Sequence, residues 1–169
     1  QDKAFPIAAG QTISQPYTVA VQTVLLGVGK RDKVLEVGTG SGYQAAVLAE
    51  MGVKVYTIER QRELYRKAQI MLGDLGYRIH FFLGDGYEGQ PQYGPYDGII
   101  ITAATAEVPD KLLKQLRIGG RLVVPRGERD SQVMTLYERR GEDDYEITTH
   151  GYFVFVPMLR GIANGNDRD

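Results

Sequence analysis

Short apolar segments alternate with amphipathic segments along most of the chain, a pattern that predicts alternating β-strands and α-helices. Strands are predicted at Lys33 to Val37, Lys54 to Ile58, Ile79 to Leu83, Tyr96 to Ile101 and Arg121 to Val124. Helices are predicted at Pro16 to Leu26, Tyr43 to Met51, Arg62 to Leu75 and Val108 to Leu116. Glycines follow three of these helices, as expected where a helix ends, at Gly52, Gly76 and Gly119-Gly120.

The pattern closes with two longer strands, Gln132 to Glu138 and Tyr145 to Val156. The charged segment Arg139 to Asp144 between them predicts a hairpin with a solvated tip rather than a functional site. Strand–helix alternation followed by such a pair indicates an α/β protein with a doubly wound, mostly parallel, seven-stranded sheet and a C-terminal antiparallel strand pair. Ligands of such sheets bind beyond the carboxyl ends of the strands.

The segment Val34 to Tyr43 is a predicted buried strand that continues directly into three alternating glycines. Glycine adopts positive φ at low cost and lets a ligand approach the backbone, so Gly38, Gly40 and Gly42 predict a ligand-binding turn. Glu59 ends the next strand, where an acid can accept hydrogen bonds from the two hydroxyls of an adenosine ribose. Together they predict a site for a nucleotide-type cofactor.

The glycine spacing narrows the choice of cofactor. A dinucleotide fingerprint requires Gly-x-Gly-x-x-Gly, but position 43 is Tyr, so a nicotinamide oxidoreductase is the least favoured class. The chain also has no Gly-x-x-x-x-Gly-Lys-Ser/Thr phosphate loop. A ligand with a ribose and no phosphate fits, and S-adenosylmethionine is such a ligand. The alternative is a glycine-rich turn in some other doubly wound protein.

Further polar residues stand at or near predicted strand ends. Asp85, within Gly84-Asp85-Gly86, can accept a hydrogen bond from an adenine amino group, or it can simply form a turn. Glu36 lies inside a core strand, where an unpaired charge is costly. It either accepts hydrogen bonds at the methionine end of the cofactor or bonds to the loop backbone. Thr102-Ala103-Ala104 follows the fourth strand at the same edge.

The segment Gln11 to Pro16 precedes the first predicted helix. Ser14 is a candidate N-cap, and Pro16 falls in the first turn. Helix N-termini attract anions, so the hydroxyls of Thr12 and Ser14 could also hold a carboxylate.

Composition excludes several classes of protein. The net charge is −1, which gives no indication of a nucleic-acid or membrane surface. The chain has no cysteine, which excludes disulfides and a thiolate nucleophile and fits a cytoplasmic location. His80 and His150 are too far apart in sequence for a recognisable metal site or catalytic triad, so no metal is expected.

In these residues and motifs, the sequence resembles the protein-L-isoaspartate O-methyltransferases, a family within the Rossmann-like methyltransferases. The resemblance runs from about Phe5 to Pro157. It rests on Gln11-Thr12-Ile13-Ser14-Gln15-Pro16, Val34 to Ala46, Glu59-Arg60, Gly84-Asp85-Gly86, Pro95-Tyr96-Asp97, Thr102-Ala103-Ala104, Gly119-Gly120 with Leu122-Val123-Val124-Pro125, and Phe155-Val156-Pro157. The first two motifs together are highly specific, whereas the glycine motif alone is shared by many methyltransferases.

The resemblance implies methyl transfer from S-adenosylmethionine to the α-carboxylate of isoaspartyl residues in damaged proteins and peptides, leaving S-adenosylhomocysteine. The methyl ester then closes to a succinimide, which can reopen to normal aspartate. The catalytic serine of the family corresponds to Ser14, and the substrate would bind Thr12, Ser14 and the backbone of Val156. The implied cofactor-binding residues are Thr12, Ile13, Ser14, Glu36, Gly38, Thr39, Gly40, Ser41, Gly42, Glu59, Arg60, Asp85, Gly86 and Thr102.

We expect a cytoplasmic, monomeric protein that binds neither nucleic acid nor membranes. Two departures from the family pattern stand out. Family members usually carry a further, partly helical segment before the equivalent of Phe5, so residues 1–169 are expected to form a single domain without it. Ala106 also replaces a usual proline, which predicts a looser loop after Thr102. A carboxyl methyltransferase with another peptide acceptor, or a cofactor-binding module without catalysis, are the alternatives.

Overall fold

The structure is a computed structural model that describes residues 5–6, 12–13 and 16–163, with side chains from residue 16 onward. Two short strands, β1 (Phe5–Pro6) and β2 (Thr12–Ile13), pair with each other in antiparallel fashion. The main sheet consists of β3 (Lys33–Val37), β4 (Lys54–Glu59), β5 (Ile79–Leu83), β6 (Tyr96–Ile101), β7 (Leu116–Arg126), β8 (Gln132–Arg139) and β9 (Tyr145–Phe153). The helices are α1 (Pro16–Leu26), α2 (Tyr43–Glu50), α3 (Arg62–Asp74) and α4 (Asp110–Leu113).

The seven strands of the main sheet follow the order β5-β4-β3-β6-β7-β8-β9. Strands β3 to β7 run parallel to one another, whereas β8 is antiparallel to both β7 and β9. The doubly wound sheet with its C-terminal antiparallel pair is therefore confirmed. The chain order reverses between β3 and β6, which is where an open α/β sheet forms its ligand crevice.

The two central strands are buried on both faces, as their continuous apolar sequences require. Along β6, Ile99 and Ile101 contribute to one core cluster and Ile100 to the other, because successive side chains point to opposite faces of a strand. In the neighbouring β3, Leu35 and Val34 divide in the same way. The sheet thus forms a rigid platform whose carboxyl edge carries the loops described below.

The helices cover the sheet with their apolar faces. In α3, Leu64, Ala68 and Leu72 are buried at helical spacing, and Arg62 begins the helix as predicted. Helix α1 has the predicted bounds, and α2 ends one residue earlier than predicted. None of the helices in the described part of the chain is long and apolar enough to cross a membrane.

The predicted helix from Val108 to Leu116 is wrong in extent. Only α4 forms, because Leu116 already pairs with Tyr96 in the sheet. Gly119-Gly120 do not end a helix but lie within β7, where the register with β6 shifts. A Cβ on Gly120 would lie 3.0 Å from the Arg117 and Asp97 carbonyl oxygens, so the glycine serves a close backbone approach.

The charged turn between β8 and β9 is only partly the predicted solvated tip. The Asp143 side chain is exposed, but the Arg139 side chain is 8% exposed. Its guanidinium donates hydrogen bonds to the carbonyl oxygens of Lys114 and Leu116. Arg139 therefore pairs backbone acceptors beyond the short α4, a role that the spacing of charges in the sequence does not indicate.

Candidate functional site

A cavity lies at the carboxyl ends of β3, β4 and β6, where the strand order reverses. Its walls come from five chain segments that are remote in sequence. They are Glu36 to Ser41 with Tyr43 and Gln44, Ile58 to Arg60, Gly86, Thr102 and Ala103, and Val156 to Leu159. The predicted convergence of several strand ends on one edge is thus confirmed: their residues line one cavity.

The glycine turn after β3 forms one wall of this cavity. Gly38 has a φ of 99°, and its N–H donates to the Ile58 carbonyl at 2.9 Å. The Thr102 hydroxyl donates to the Gly38 carbonyl at 2.6 Å, and a Cβ on Gly38 would lie 2.5 Å from that hydroxyl oxygen. Only glycine meets both the positive φ and this close contact, so the backbone here stays open to a ligand.

Glu59 presents its carboxylate at the end of β4 and is 5% exposed. Its Oε1 accepts from the Gly40 N–H at 2.9 Å, and its Oε2 accepts from the Gln61 N–H at 2.8 Å. Burial raises the pKa of Glu59, while these backbone N–H groups oppose the rise. A carboxylate oxygen can accept more than one hydrogen bond, so the fixed carboxylate retains capacity for two ribose hydroxyls.

Glu36 is fully buried inside β3, and its carboxyl group is hydrogen-bonded to a chain of two threonine hydroxyls. The Thr57 hydroxyl donates to Glu36 Oε1 at 2.6 Å, and the hydroxyls of Thr57 and Thr39 are also 2.6 Å apart. Because Thr57 has a single hydroxyl proton, Thr39 is the donor in that second bond. The donor to Glu36 is thus a side chain on the neighbouring strand rather than the loop backbone.

The second carboxylate oxygen of Glu36, Oε2, is buried and has no hydrogen-bond partner among the described residues. Burial, the largest influence, raises the pKa of Glu36 to about 8, the Thr57 hydrogen bond opposes the rise, and Glu59 adds to it. This oxygen accepts once the carboxyl group is ionised, so the cavity wall is suited to a ligand that brings a positive charge with hydrogen-bond donors.

The turn after β5 contributes Gly86 to the cavity, whereas Asp85 does not line it. Asp85 Oδ1 accepts from the Tyr87 N–H at 2.9 Å and so forms a turn. A Cβ on Gly86 would lie 2.4 Å from Cγ1 of Val37, which leaves no room for a side chain. The close approach of backbone to strand at Gly86 therefore depends on glycine.

The segment after β9 closes the far side of the cavity. The Ala104 N–H donates to the Val156 carbonyl at 2.7 Å, and the Met158 N–H donates to the Ala104 carbonyl at 2.7 Å. The Arg60 guanidinium donates to the carbonyl of Arg160 at 3.2 Å. These bonds hold the loop after Thr102 and the C-terminal segment together, although the missing proline predicts a looser loop.

Most of the residues predicted from the sequence line the cavity, and a few do not. Those on its wall are Glu36, Gly38, Thr39, Gly40, Ser41, Glu59, Arg60, Gly86, Thr102 and Val156. Gly42 instead precedes α2 with a φ of 88°, and Asp85 forms its turn. Ser14 lies outside the described residues, and of Thr12 and Ile13 only the backbone of β2 is described.

Sequence reasoning missed several wall residues, above all Gln44, Met158 and Leu159. The signal for Gln44 is a polar residue that is followed by the apolar run Ala45 to Ala49, directly after the glycine turn. No local signal marks Met158 or Leu159, because their position depends on pairing across the sheet edge. Among the residues the structure describes, no group of three or more His, Cys, Asp or Glu side chains is placed to hold a metal ion.

The donor and acceptor pattern of the cavity fits S-adenosylmethionine. Glu59 offers acceptors for a ribose, Gly38 and Gly86 leave room for close contact, and the unpaired Oε2 of Glu36 suits a cationic group. A doubly wound sheet of this topology with this site defines the class of S-adenosylmethionine-dependent methyltransferases.

Comparison with known proteins narrows this class to one family. The model of the family described as protein-L-isoaspartate(D-aspartate) O-methyltransferase matches residues 1–163. The protein-L-isoaspartate O-methyltransferases of Christiangramia forsetii and Flavobacterium psychrophilum are 60% and 58% identical to this chain over 160 residues. Each alignment covers 94% of this chain and 75% of the relative. The chain belongs to the protein-L-isoaspartate O-methyltransferase family.

Solved structures agree with this assignment. A protein-L-isoaspartate O-methyltransferase structure that is 32% identical superposes with a TM-score of 0.81, covering 86% of this chain and 48% of that chain. A relative from Plasmodium falciparum, solved in complex with S-adenosyl-L-homocysteine, is 23% identical with a TM-score of 0.78 and covers 94% of this chain and 81% of its own. The second comparison shows the shared fold.

Proposed function

We propose that this protein transfers a methyl group from S-adenosylmethionine to the α-carboxylate of L-isoaspartyl residues in damaged proteins and peptides. The observation that carries the proposal is the family match across residues 1–163, which includes the segments that build the cavity. The S–CH₃ bond breaks, an ester O–CH₃ bond forms and S-adenosylhomocysteine leaves. The following backbone nitrogen then displaces methanol from the ester to give a succinimide, which hydrolyses in part to normal aspartate.

The proposed cofactor is held by groups at the ends of three strands. Glu59 accepts hydrogen bonds from the ribose hydroxyls, the backbone at Gly38 and Gly40 lies against the cofactor, and Gly86 makes space beside it. Glu36 faces the cationic methionine end, where its unpaired Oε2 gains a partner. When bound, S-adenosylmethionine supplies a methyl group activated by the positive charge on its sulfur.

The residues that bind the acceptor carboxylate need not include a general base. The unperturbed pKa of an α-carboxylate is roughly 3.3 to 3.7, so the acceptor is already ionised at neutral pH. What the protein must supply is alignment, which can lower a barrier by roughly 7–11 kcal/mol when reactants are well oriented. We propose that the hydroxyls of Ser14 and Thr12 donate to this carboxylate and direct one oxygen toward the methyl group.

The substrate peptide is proposed to run past Val156. This residue lies on the cavity wall in the segment that follows β9, and its carbonyl already accepts from Ala104. The carbonyl has a second lone pair, and extended segments pair readily with an added peptide strand. Proteins and peptides are thus the proposed partners. A cytoplasmic location and a monomeric state remain predictions.

The repair reaction itself can be followed without labelling. A synthetic peptide with one isoaspartyl residue is incubated with the protein and S-adenosylmethionine at neutral pH, and the products are separated by reversed-phase chromatography. The proposal predicts conversion to the succinimide and then to the normal aspartyl peptide, only when the methyl donor is present. An isoaspartyl peptide that stays unchanged over many hours of incubation would contradict it.

A further inference from the structure

Gln44 is a buried polar residue on the cavity wall that the glycine motif does not include. It is the second residue of α2, directly after the glycine turn, and is 4% exposed. The next residue of the helix, Ala45, and Leu48 belong to the second core cluster. A glutamine at such a position requires partners for both ends of its amide.

The surrounding hydrogen bonds fix which end of the Gln44 amide is which. The Thr23 hydroxyl donates to the Val19 carbonyl at 2.7 Å, so its one proton is committed. The same hydroxyl oxygen is 2.9 Å from Gln44 Nε2, and it can only accept in that contact. The nitrogen end of the amide therefore faces Thr23, and the oxygen end faces away from it. This reasoning does not depend on how the amide atoms are assigned.

The oxygen end is then left without a donor. Gln44 Oε1 is buried and has no hydrogen-bond partner among the described residues. Glu36 Oε2 is in the same condition, and both residues line the same cavity. Two oxygens on one wall that lack a donor among the described residues are complementary to a ligand group that carries several N–H donors and a positive charge.

S-adenosylmethionine has one such group, the α-ammonium of its methionine part. The adenosine part is accounted for by Glu59 and Gly86, which lie at the ends of β4 and β5. Glu36 lies near the end of β3, and Gln44, at the start of α2, bonds to Thr23 of α1. The placement of the two unpaired oxygens thus matches the methionine end of the cofactor.

We propose that Gln44 binds the cofactor, its Oε1 accepting a hydrogen bond from the α-ammonium group beside Glu36. This inference rests on the proposed cofactor and adds a residue that orients its methionine arm. A fixed arm restricts where the sulfur and its methyl group sit, so Gln44 affects the alignment on which the transfer depends.

A thermodynamic cycle with wild type and one variant, each measured with two ligands, tests the contact between Gln44 and the ammonium group. Gln44→Met keeps the side-chain length and removes the acceptor. Dissociation constants are measured by calorimetry for S-adenosylhomocysteine and for its analogue without the α-amino group. The variant is expected to bind S-adenosylhomocysteine about ten- to hundredfold more weakly than the wild type, and the deaminated analogue equally well. Equal weakening of both ligands, or of neither, would overturn the proposal.

The chain offers a matched control in Gln22, which is fully buried and does not line the cavity. Its Oε1 also has no hydrogen-bond partner in the part of the chain that the structure describes. Gln22→Met is expected to weaken both ligands to the same small extent, if at all. A ligand-selective loss in Gln22→Met as large as that in Gln44→Met would contradict a specific role for Gln44.

Two measurements on the wild-type protein test the proposal without relying on how the variant folds. In a crystal structure of the wild type with S-adenosylhomocysteine, the ammonium nitrogen is expected within about 2.7–3.2 Å of Gln44 Oε1. A water molecule in that place, with the ammonium elsewhere, would overturn it. Wild-type protein that binds no S-adenosylhomocysteine would refute the cofactor itself, whereas binding without methyl transfer would refute only the proposed acceptor.

Discussion

Glu36 and Thr57 are direct register partners on β3 and β4, and the Thr57 hydroxyl donates to the Glu36 carboxylate at 2.6 Å inside the sheet. Among the described residues, the other oxygen of this fully buried carboxyl group has no hydrogen-bond partner. Burying a carboxyl group with an unpaired oxygen costs free energy. The polar pair therefore points to a requirement of the ligand site, and it gives two measurable consequences.

The first consequence is a pH-dependent stability in the free protein. The pKa of Glu36 is about 8 in the folded state against 4.5 for an ordinary glutamate, so the folded state holds a proton that the unfolded state has lost between these values. Its contribution to stability falls as the pH rises from 4.5 to 8. Glu36→Gln removes this dependence.

Chemical denaturation at pH 5 and pH 8 measures the effect. The wild type is expected to lose on the order of a few kcal/mol more stability than Glu36→Gln between these two pH values. Groups that do not interact with Glu36 titrate equally in both proteins and cancel in the comparison. Identical pH profiles for the two proteins would contradict the raised pKa.

The second consequence is proton release on cofactor binding. At pH 7 the Glu36 carboxyl is protonated in the free protein, since its pKa is about 8. A bound cationic group beside it favours the carboxylate and lowers that pKa. Up to about one proton is expected to leave per S-adenosylhomocysteine bound. Calorimetry in two buffers of different ionisation enthalpy counts the protons. Equal release by wild type and Glu36→Gln would rule out Glu36 as the source.

The backbone approach at Gly86 predicts a strong difference between two neighbouring glycines. A Cβ on Gly86 would lie 2.4 Å from Val37, whereas a Cβ on Gly84 meets nothing closer than Ile58 at 3.7 Å. Gly86→Ala is expected to cost about 1–3 kcal/mol of stability and to weaken S-adenosylhomocysteine binding. Gly84→Ala is expected to stay within about 0.5 kcal/mol. Denaturation and calorimetry on both variants provide the check, and similar behaviour of the two would refute this account of the wall.

The proposed role of Ser14 separates catalysis from cofactor binding. Ser14→Ala removes a hydroxyl that donates to the charged acceptor carboxylate, so turnover is expected to fall about ten- to hundredfold. Affinity for S-adenosylhomocysteine should change little. Steady-state kinetics and calorimetry on the same preparation distinguish the two effects. An equal loss of turnover and of cofactor affinity would place Ser14 on the cofactor rather than on the acceptor.

Local signals in the sequence were enough to predict most of the fold. Strands such as Tyr96–Ile101 and the helix Pro16–Leu26 have the predicted bounds, because apolar runs, prolines and glycines mark them. The helix predicted at Val108 to Leu116 failed because Leu116 pairs with Tyr96 across the sheet. Such long-range pairing has no local signature, and it overrode the helical pattern.

The residues of the site also differ in whether local sequence patterns predict them. The glycine turn and Glu59 are predictable because each stands directly after, or at the end of, a predicted strand and has a recognisable local pattern. The partner of Glu36 was missed because Thr57 reaches it only through the register of β3 with β4. Gln44 was missed because its unpaired oxygen is defined by a bond from α2 to Thr23 on α1. Sequence patterns therefore located the cofactor edge, while the polar network behind it required the structure.

The most direct test of the central claim is methyl transfer from radiolabelled S-adenosylmethionine to two peptides that differ only in one aspartyl linkage. The account predicts label on the isoaspartyl peptide alone, released as methanol in base because the product is an ester. Label on the normal aspartyl peptide to the same extent, or on neither peptide while S-adenosylhomocysteine still binds, would contradict it.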